Sequence, residues 1–360
     1  MTRKLSFAGL VLLAASTFLA AQEPQVKNAK LVPRSLQSGL QQELNAIMRA
    51  DAGPAWVGYA VPVVAGEHSM CCFEFNNFKN NSRCCGGCRL EREDGGFING
   101  NIDDCKHLEP AKNFLVLLRV SNYKIAKAKA FSVDCGLDVG GLTLYWLGEA
   151  RAAESVATLE KLVNDFARSA NEELTQHAIS AIALHGDASA DAALDRLVAK
   201  DKPEEVRQHA AFWLGTMRGH HGLETLRSLM RGNDSEDFLE HVVFAISQNH
   251  DPEAQPELIR LARSDARSEV RSKALFWLAQ RAGKKVGSVI ADAVEQDPDT
   301  DVKKKAVFAL TQMPHEEGVP LLIQVAKTNR NPVVRKEAIF WLGQSGDSRA
   351  LDYIESILVK

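Results

Sequence analysis

The cysteines are the first residues of this chain whose type and spacing could do chemistry. The spacing of Cys85 and Cys88 is that of redox-active dithiols, in which one exposed thiol of low pKa lies beside a resolving partner. Thiolates at this spacing can also hold zinc, with His68 or His107 completing the ligand set. In an oxidising compartment we expect structural disulfides instead, with one thiol left over. The disulfide candidates are Cys71, Cys72, Cys84, Cys85, Cys88, Cys105 and Cys135.

The N-terminal residues indicate such a compartment. Residues 1–21 begin with a short basic segment, continue with an apolar run over 5–15, and end at small residues that offer a cleavage site. We therefore expect a signal peptide over 1–21 and a mature protein that is secreted or periplasmic. No later run is long enough to favour stable membrane insertion once the signal has been removed.

A column of histidines forms the second group of candidate ligands. His177, His209 and His241 recur at a spacing of 32 residues, but no column of Asp or Glu joins them. We interpret them as solvated or hydrogen-bonded side chains and predict neither a metal nor a cofactor. The chain also has no Ser-His-Asp pattern, P-loop or dinucleotide fingerprint. Its formal net charge of −3 gives no electrostatic case for a nucleic-acid partner.

An aromatic column repeats with the same period of 32 residues and continues upstream through Ser180 and Tyr145. At 100° per residue it points about 120° from the centre of the core-facing side of a helix, and its helical neighbours are Gln, His and Lys. Two interpretations stay open, namely an exposed ridge that binds a peptide or a glycan, and lateral packing between adjacent helices. The candidate residues are Phe212, Phe244, Phe276, Phe308 and Phe340.

The histidine and aromatic columns belong to a sequence repeat of 32 residues, and the helices of this repeat must position their side chains. The sequence Phe-Trp-Leu-Gly at 212–215 returns at 340–343, and apolar columns keep the same register between them. Spacings of i, i+4 and i+8 predict a first helix, and a spacing of i, i+3 predicts a second helix. Such a helix pair has too little core to be stable alone, so stacked pairs are expected to share one core as an α-solenoid. Matching residues from Val139 onward bring the count to seven units over 139–360.

Two further columns have structural interpretations. An alternation of large and small residues predicts interlocking core side chains, because a Trp can pack against the small residue of the next unit. Its members are Trp146, Ala181, Trp213, Ala245, Trp277, Ala309 and Trp341. A basic column at the helix starts predicts ion pairs with acidic residues of neighbouring units. Its members are Arg207, Arg271, Lys303 and Arg335.

The last unit carries a family resemblance. Its key residues are Asn331, Pro332, Val333, Val334, Arg335, Ala338, Leu342, Gly343, Asp347, Ala350 and Leu351. With them the units resemble HEAT repeats of the short class found in phycobilisome-lyase-like proteins. The resemblance implies a right-handed α-solenoid that serves as a binding scaffold. Some proteins of this class are iron-dependent hydroxylases that hold metal with His-Glu pairs. Here one such pair occurs, His315-Glu316, in a predicted turn, which departs from that pattern.

The region before the repeats predicts a small α+β domain. Ser35 can cap a helix that runs to Ala50, residues 56–64 have the pattern of a strand, and residues 113–120 and 123–133 that of a hairpin. The cysteines would staple the long polar segment between these strands.

Together these patterns predict a mainly α chain: a signal peptide over 1–21, a Cys-rich α+β domain over 22–138, and an α-solenoid of about seven HEAT-like helix pairs over 139–360. We expect an exported scaffold that binds a protein or peptide partner through its solenoid surface. The alternative is a metal- or thiol-dependent enzyme of oxidoreductase type that uses the Cys-rich domain or the solenoid histidines. The outer face of the last unit, with Ile357 and Leu358, is an expected docking or dimer surface.

Overall fold

The computed structural model describes seven stretches of the chain. They are residues 24–50, 53–65, 88–91, 112–133, 135–166, 171–281 and 284–359. The predicted signal peptide and most of the Cys-rich segment therefore lie outside the described residues. Within the described stretches, strands lie before residue 150, and helices account for nearly all that follows.

Eight described strands form two sheets. Their bounds are β1 (Val26–Lys27), β2 (Lys30–Pro33), β3 (Ala55–Pro62), β4 (Cys88–Arg89), β5 (Asn113–Ser121), β6 (Lys124–Ser132), β7 (Leu137–Asp138) and β8 (Thr143–Glu149). The larger sheet has the order β2-β8-β3-β5-β6, and the smaller has the order β1-β7-β4. The pairs β3–β5 and β5–β6 are antiparallel, whereas β8 is parallel to both β2 and β3.

The alternation of side chains along β3 explains how the larger sheet is covered on both faces. Trp56 and Ala60 point to the core beneath the smaller sheet, together with residues of β5 and β8. Val57, Tyr59 and Val61 point to the opposite face, where they join the core of the helices. Because successive strand residues face opposite sides, one strand contributes to both cores.

The elements predicted for the N-terminal region are largely confirmed. The strand and the hairpin form as β3, β5 and β6, and the hairpin turn holds Asn122 and Tyr123 at positive φ, as a tight two-residue turn requires. The helix, α1 (Leu40–Ala50), starts five residues later than the predicted cap at Ser35. Gly39 precedes it at φ +86°, a conformation outside the helical region.

Thirteen further helices follow in the described residues. Their bounds are α2 (Ala152–Phe166), α3 (Glu172–Leu184), α4 (Ala188–Leu197), α5 (Glu204–Met217), α6 (Gly219–Met230), α7 (Glu236–Gln248), α8 (Ala254–Ser264), α9 (Ser268–Ala279), α10 (Lys284–Gln296), α11 (Thr300–Thr311), α12 (His315–Thr328), α13 (Pro332–Gln344) and α14 (Ser348–Leu358). From α3 to α14 they make six complete helix pairs, which stack as an α-solenoid. Each pair has a first helix, such as α5, and a second helix, such as α6.

The prediction that the first unit begins at Val139 with a helix is wrong. Residues 143–149 form β8, which pairs with β3 in the centre of the sheet, and Trp146 lies in the core beneath the smaller sheet. Gly148 has φ +77°, which no helix interior has. The helical array therefore begins with α2. The strand β8 precedes α2 at the place where the first helix of that unit was expected.

The first helices lie on the inner side of the array. Successive first helices contact one another more extensively than successive second helices do. Gly215 shows why α5 and α7 can approach so closely, because a Cβ there would lie 2.2 Å from the carbonyl oxygen of Ala245. The array therefore curves with its first helices toward the concave surface.

Candidate binding surface

The predicted aromatic column forms a row of stacked rings on the first helices. The centroids of Phe212 and Phe244 are 5.8 Å apart, and those of Phe276 and Phe308 are 6.3 Å apart with the ring planes only 5° from parallel. These distances lie in the range in which aromatic pairs add about 0.5–1.5 kcal/mol beyond the area they bury. Neighbouring helix pairs therefore contact each other through these rings.

Tryptophans complete the row between the stacked pairs. The ring of Phe244 lies 4.6 Å from that of Trp277, and the ring of Phe308 lies 4.9 Å from that of Trp341. Each of these Trp rings also meets the Phe that precedes it in sequence, edge-on at about 5 Å. The result is a continuous series of rings that we call the aromatic ladder. Its members are Trp213, Phe212, Phe244, Trp277, Phe276, Phe308, Trp341 and Phe340.

The rings of the column pack laterally between adjacent helices and are also partly exposed, so each of the two interpretations holds in part. The Phe rings from 212 to 308 are half-buried, because each packs on a neighbouring pair and keeps one side in solvent. Phe340 is 55% exposed, because it lies in the last helix pair of the described residues. Upstream the row ends, since Tyr145 belongs to β8 and Ser180 is buried with its hydroxyl donating to the carbonyl of His177 at 2.8 Å.

The Trp/Ala column is only partly the core that was predicted. Trp213 and the alanines of the column are buried. Trp277 and Trp341 are half-buried in the ladder, and the indole of Trp341 donates to Glu337 at 2.8 Å. Sequence reasoning missed the ladder for this reason, since it assigned the Trp and Phe columns to different environments although they are adjacent in sequence.

Glutamines border the ladder at the C-terminal ends of the first helices. Gln280 donates to Gln312 of the next pair across 3.4 Å, and Gln312 donates to Thr311 at 3.0 Å. Gln248 donates to Ser247 in the same way, at 3.0 Å. Each amide retains donor or acceptor capacity beyond these bonds, so the border offers repeated hydrogen-bonding groups beside apolar rings.

The other border carries the histidine column and two lysines. His177 and His241 each bond a backbone carbonyl one turn earlier at 2.8 Å through Nδ1, and burial lowers the pKa of His209 below its ordinary value. Lys273 pairs with Glu240 at 2.6 Å, and Lys305 with Glu269 at 2.5 Å. Among the described residues, no three His, Cys, Asp or Glu side chains gather in a geometry that could hold a metal ion.

A small cleft opens on the ladder between α11, α12 and α13. It has a volume of about 210 Å³, and Phe308, Trp341 and Met313 line it together with Gln344 and His315. Polar and apolar groups contribute about equally to its lining, so the cleft offers hydrogen-bonding groups beside the two aromatic rings.

The remaining candidate residues have structural partners or lie outside the described residues. Arg207 pairs with Asp234 at 2.7 Å and Arg271 with Asp297 at 2.8 Å, as predicted for the basic column, whereas Lys303 and Arg335 donate to backbone carbonyls. Cys135 is disulfide-bonded. Cys88 lies in β4, and the other five cysteines, His68 and His107 lie outside the described residues.

The His315-Glu316 pair does not fit an iron site. It begins α12 instead of lying in a turn, its imidazole faces solvent, and Arg349 binds Glu316 at 2.8 Å. An iron ligand pair needs both side chains directed at one point with further ligands nearby. The chemistry of the hydroxylases in this repeat class therefore has no support in these two residues.

A buried histidine at the junction of sheet and helices was missed by sequence reasoning. His185 follows α3, its Nδ1 bonds the carbonyl of Ala181 at 2.7 Å, and its Nε2 has no hydrogen-bond partner among the described residues. Burial lowers its pKa to about 4. Nearby, the backbone amide of Val64 donates to Leu184 at 2.7 Å, and that of Gly186 donates to Pro62 at 2.9 Å. These bonds fix the first helix pair on the end of β3.

Comparison with known proteins identifies the helical repeat. The family described as HEAT repeats matches residues 191–279 and 288–360. No curated protein matches the chain. Among the described residues, no helix has both the length and the apolar character needed to cross a membrane.

Several solved structures are similar to parts of the chain at 18% identity. Human deoxyhypusine hydroxylase in complex with glycerol matches 57% of this chain and 80% of its own, with a TM-score of 0.27. The complex of CpcE and CpcF of phycocyanin lyase from Nostoc sp. PCC7120 matches 43% of this chain and 98% of its own, with a TM-score of 0.33. The E. coli protein YibA matches 57% of this chain and 76% of its own, also with a TM-score of 0.33.

Proposed function

We propose that the helical array, in which residues 191–279 and 288–360 match the family of HEAT repeats, is a scaffold that binds a segment of a partner protein along the aromatic ladder. The observation that supports this most directly is the ladder itself. Its rings run across five first helices on the inner side of the array, and each of the internal Phe rings keeps one side exposed. Partly exposed aromatic rings in a row are typical of surfaces that bind other proteins.

The chemistry beside the ladder fits a peptide better than a charged polymer. An extended peptide offers apolar side chains for the ring surfaces and backbone amides for the side chains of Gln248, Gln280 and Gln312. The cations of the other border are engaged by carboxylates, as in the Lys273–Glu240 pair, so the surface has no excess positive charge for phosphates. The cleft beside Phe308, whose lining is both polar and apolar, can take one side chain of the bound segment.

Export and disulfide formation complete the proposal. The basic and apolar pattern of residues 1–21 supports a signal peptide, and clustered cysteines between 71 and 135 support a stapled N-terminal region in an oxidising compartment. In this view, the N-terminal region covers one end of the array, and the helix pairs present the binding surface outside the cytoplasm.

A binding experiment with defined peptides tests the ladder. Linear peptides selected on the wild-type protein from a random displayed library are titrated against three variants, whose fold is checked by circular dichroism. We expect the triple variant Phe244→Ser, Phe276→Ser, Phe308→Ser to lose binding, and Gln280→Ala with Gln312→Ala to weaken it at least about tenfold, or about 1.4 kcal/mol. The control Gln324→Ala changes an exposed glutamine on the second helix α12 and leaves affinity within about twofold. Unchanged affinity in a folded triple variant would overturn the proposal.

A further inference from the structure

Exposed apolar side chains are concentrated at one end of the array. Among the described residues, seven large apolar side chains are exposed, and six of them lie on or directly after α13 and α14. We call these six the end patch. They are Val333 (49% exposed), Phe340 (55%), Leu351 (53%), Ile357 (39%), Leu358 (77%) and Val359 (87%). The seventh, Tyr123, lies in the hairpin turn between β5 and β6.

Part of the end patch is the surface that each internal pair buries against the next. Leu351 and Leu358 occupy the positions of Val319 and Ala326 in the preceding pair, which are 3% and 5% exposed. Stacking buries such positions because neighbouring pairs share one core. This part of the patch therefore has the shape and composition of a surface that receives another helix pair.

Two members of the end patch are not explained by stacking. Val333 and Val359 occupy positions that carry the exposed charged residues Asp301 and Lys327 in the preceding pair. Acidic residues fill the first of these columns in all earlier first helices, and charged residues fill most of the second. Since these positions stay in solvent inside the array, a further stacked pair would leave the two valines exposed. Apolar residues at such positions indicate a surface that is covered from another direction as well.

We propose that the end patch is the interface between two copies of this chain related by a twofold axis. The opposite end of the array is not available to receive it, because α2 and α3 are covered there by α1, β3 and β6. Head-to-tail stacking of copies, which would make open filaments, is therefore blocked. A twofold pairing in which each copy uses the same surface remains, and it closes after two copies.

The area of the patch suits a stable dimer. With roughly 150 to 200 Å² for a whole large apolar residue, the exposed fractions sum to roughly 600 Å² per copy from six residues alone. A standard interface buries about 800 Å² per partner, which the polar neighbours of the patch can supply. Those neighbours have both signs, with Lys336 on α13 and Asp352 and Glu355 on α14, all exposed. A twofold axis can therefore bring opposite charges together across the interface.

Sedimentation equilibrium of the full chain tests this proposal. We expect the wild-type protein to have twice the mass of one chain. The variant Leu358→Glu, Val359→Glu changes two residues that are already in solvent, so its fold is retained, and its dimer dissociation constant should rise at least about tenfold. Leu351→Arg, at the other end of α14, gives an independent variant with the same expectation. The control is Tyr123→Glu, which removes the exposed apolar residue outside the patch and should leave the dimer intact.

Three results would overturn the proposal. They are a monomeric wild-type protein at all concentrations, an unchanged dimer in the two end-patch variants, and dissociation caused by Tyr123→Glu. The first of these results, together with binding of a different chain at the end patch, would identify another occupant. None of these variants changes a ring of the aromatic ladder, so a failure here is distinguishable from a failure of the proposed peptide binding.

Discussion

The imidazole of His185 meets the ring of Phe114 edge-on, with the two centroids 5.1 Å apart and the planes at 90°. Phe114 lies in β5, and His185 follows the first helix of the first complete pair. Both residues are fully buried. A titratable side chain is thus placed at the centre of the contact between sheet and array, where a positive charge would lose its hydration.

Stability should fall as His185 becomes protonated in the unfolded state. Its pKa is about 4 in the folded protein, against 6.5 for an ordinary histidine. Above pH 6.5 neither state binds the proton, and between pH 6.5 and 4 only the unfolded state does. The free energy of unfolding should therefore decrease over this window, by about 3 kcal/mol in total, and level off below pH 4.

The measurement is urea unfolding between pH 7 and pH 4 for the wild type and for His185→Gln. Carboxylates titrate in both proteins, so the difference between the two curves isolates the histidine. We expect this difference to change steadily from pH 6.5 to pH 4. Parallel curves for the two proteins would contradict the assignment.

Gly215 and Gly343 occupy the same column and should respond oppositely to alanine. A Cβ at Gly215 would lie 2.2 Å from the Ala245 carbonyl oxygen, whereas one at Gly343 has its nearest neighbour at 4.0 Å. We expect Gly215→Ala to destabilise the protein by about 1–3 kcal/mol through overpacking. Gly343→Ala should stabilise it by about 0.5–1 kcal/mol through helix propensity. Thermal or urea unfolding of both variants checks this, and equal shifts would argue against close contact of the first helices.

The buried ion pair Arg271–Asp297 should contribute far more to the free energy of unfolding than the exposed pair Arg263–Asp292. The guanidinium of Arg271 binds both carboxylate oxygens of Asp297, at 2.8 and 3.0 Å, and Asp297 also accepts from the amide of Asp299. Asp297→Ala leaves a buried charge without its counterion and should cost about 3–5 kcal/mol. Asp292→Ala should cost at most about 1 kcal/mol, since both partners are about half exposed. The midpoints of urea unfolding are measured for both variants. Similar losses of stability would contradict the buried network.

Truncation of the ladder should cost stability in proportion to ring burial. Phe308→Ala removes contacts with Phe276 and Trp341 and should destabilise the protein by about 2 kcal/mol. Phe340 meets one ring where Phe308 meets two, since it contacts only Trp341 among the described rings, and it is mostly in solvent. Phe340→Ala should therefore cost less than about 1 kcal/mol. Equal costs would mean that the rings do not support one another.

The repeat was predictable because its signals are local and recur. Asn331 caps α13 by accepting from the amide of Val333 at 2.9 Å, with Pro332 as the first helical residue, as the sequence motif implies. The hairpin likewise follows from alternating apolar residues on both sides of a short polar turn. Such features need no knowledge of distant contacts.

The errors arose where distant contacts decide the structure. Residues 144–147 match the aromatic and apolar columns of the repeat, but their neighbours in space are β2 and β3, so they form a strand. The aromatic ladder depends on which side of each Trp faces the next pair, and periodicity alone does not report that. His185 gave no signal in sequence, because its importance comes only from burial against β5.

The backbone bonds between the end of β3 and the loop after α3 have a mechanical consequence. Val64 and Gly186 each donate across this contact, and the missing side chain of Gly186 lets the Val63 carbonyl approach closely. The sheet and the first complete helix pair are thus joined directly through their backbones. A displacement of the far helices should therefore be taken up as small bends between successive pairs and not at this junction.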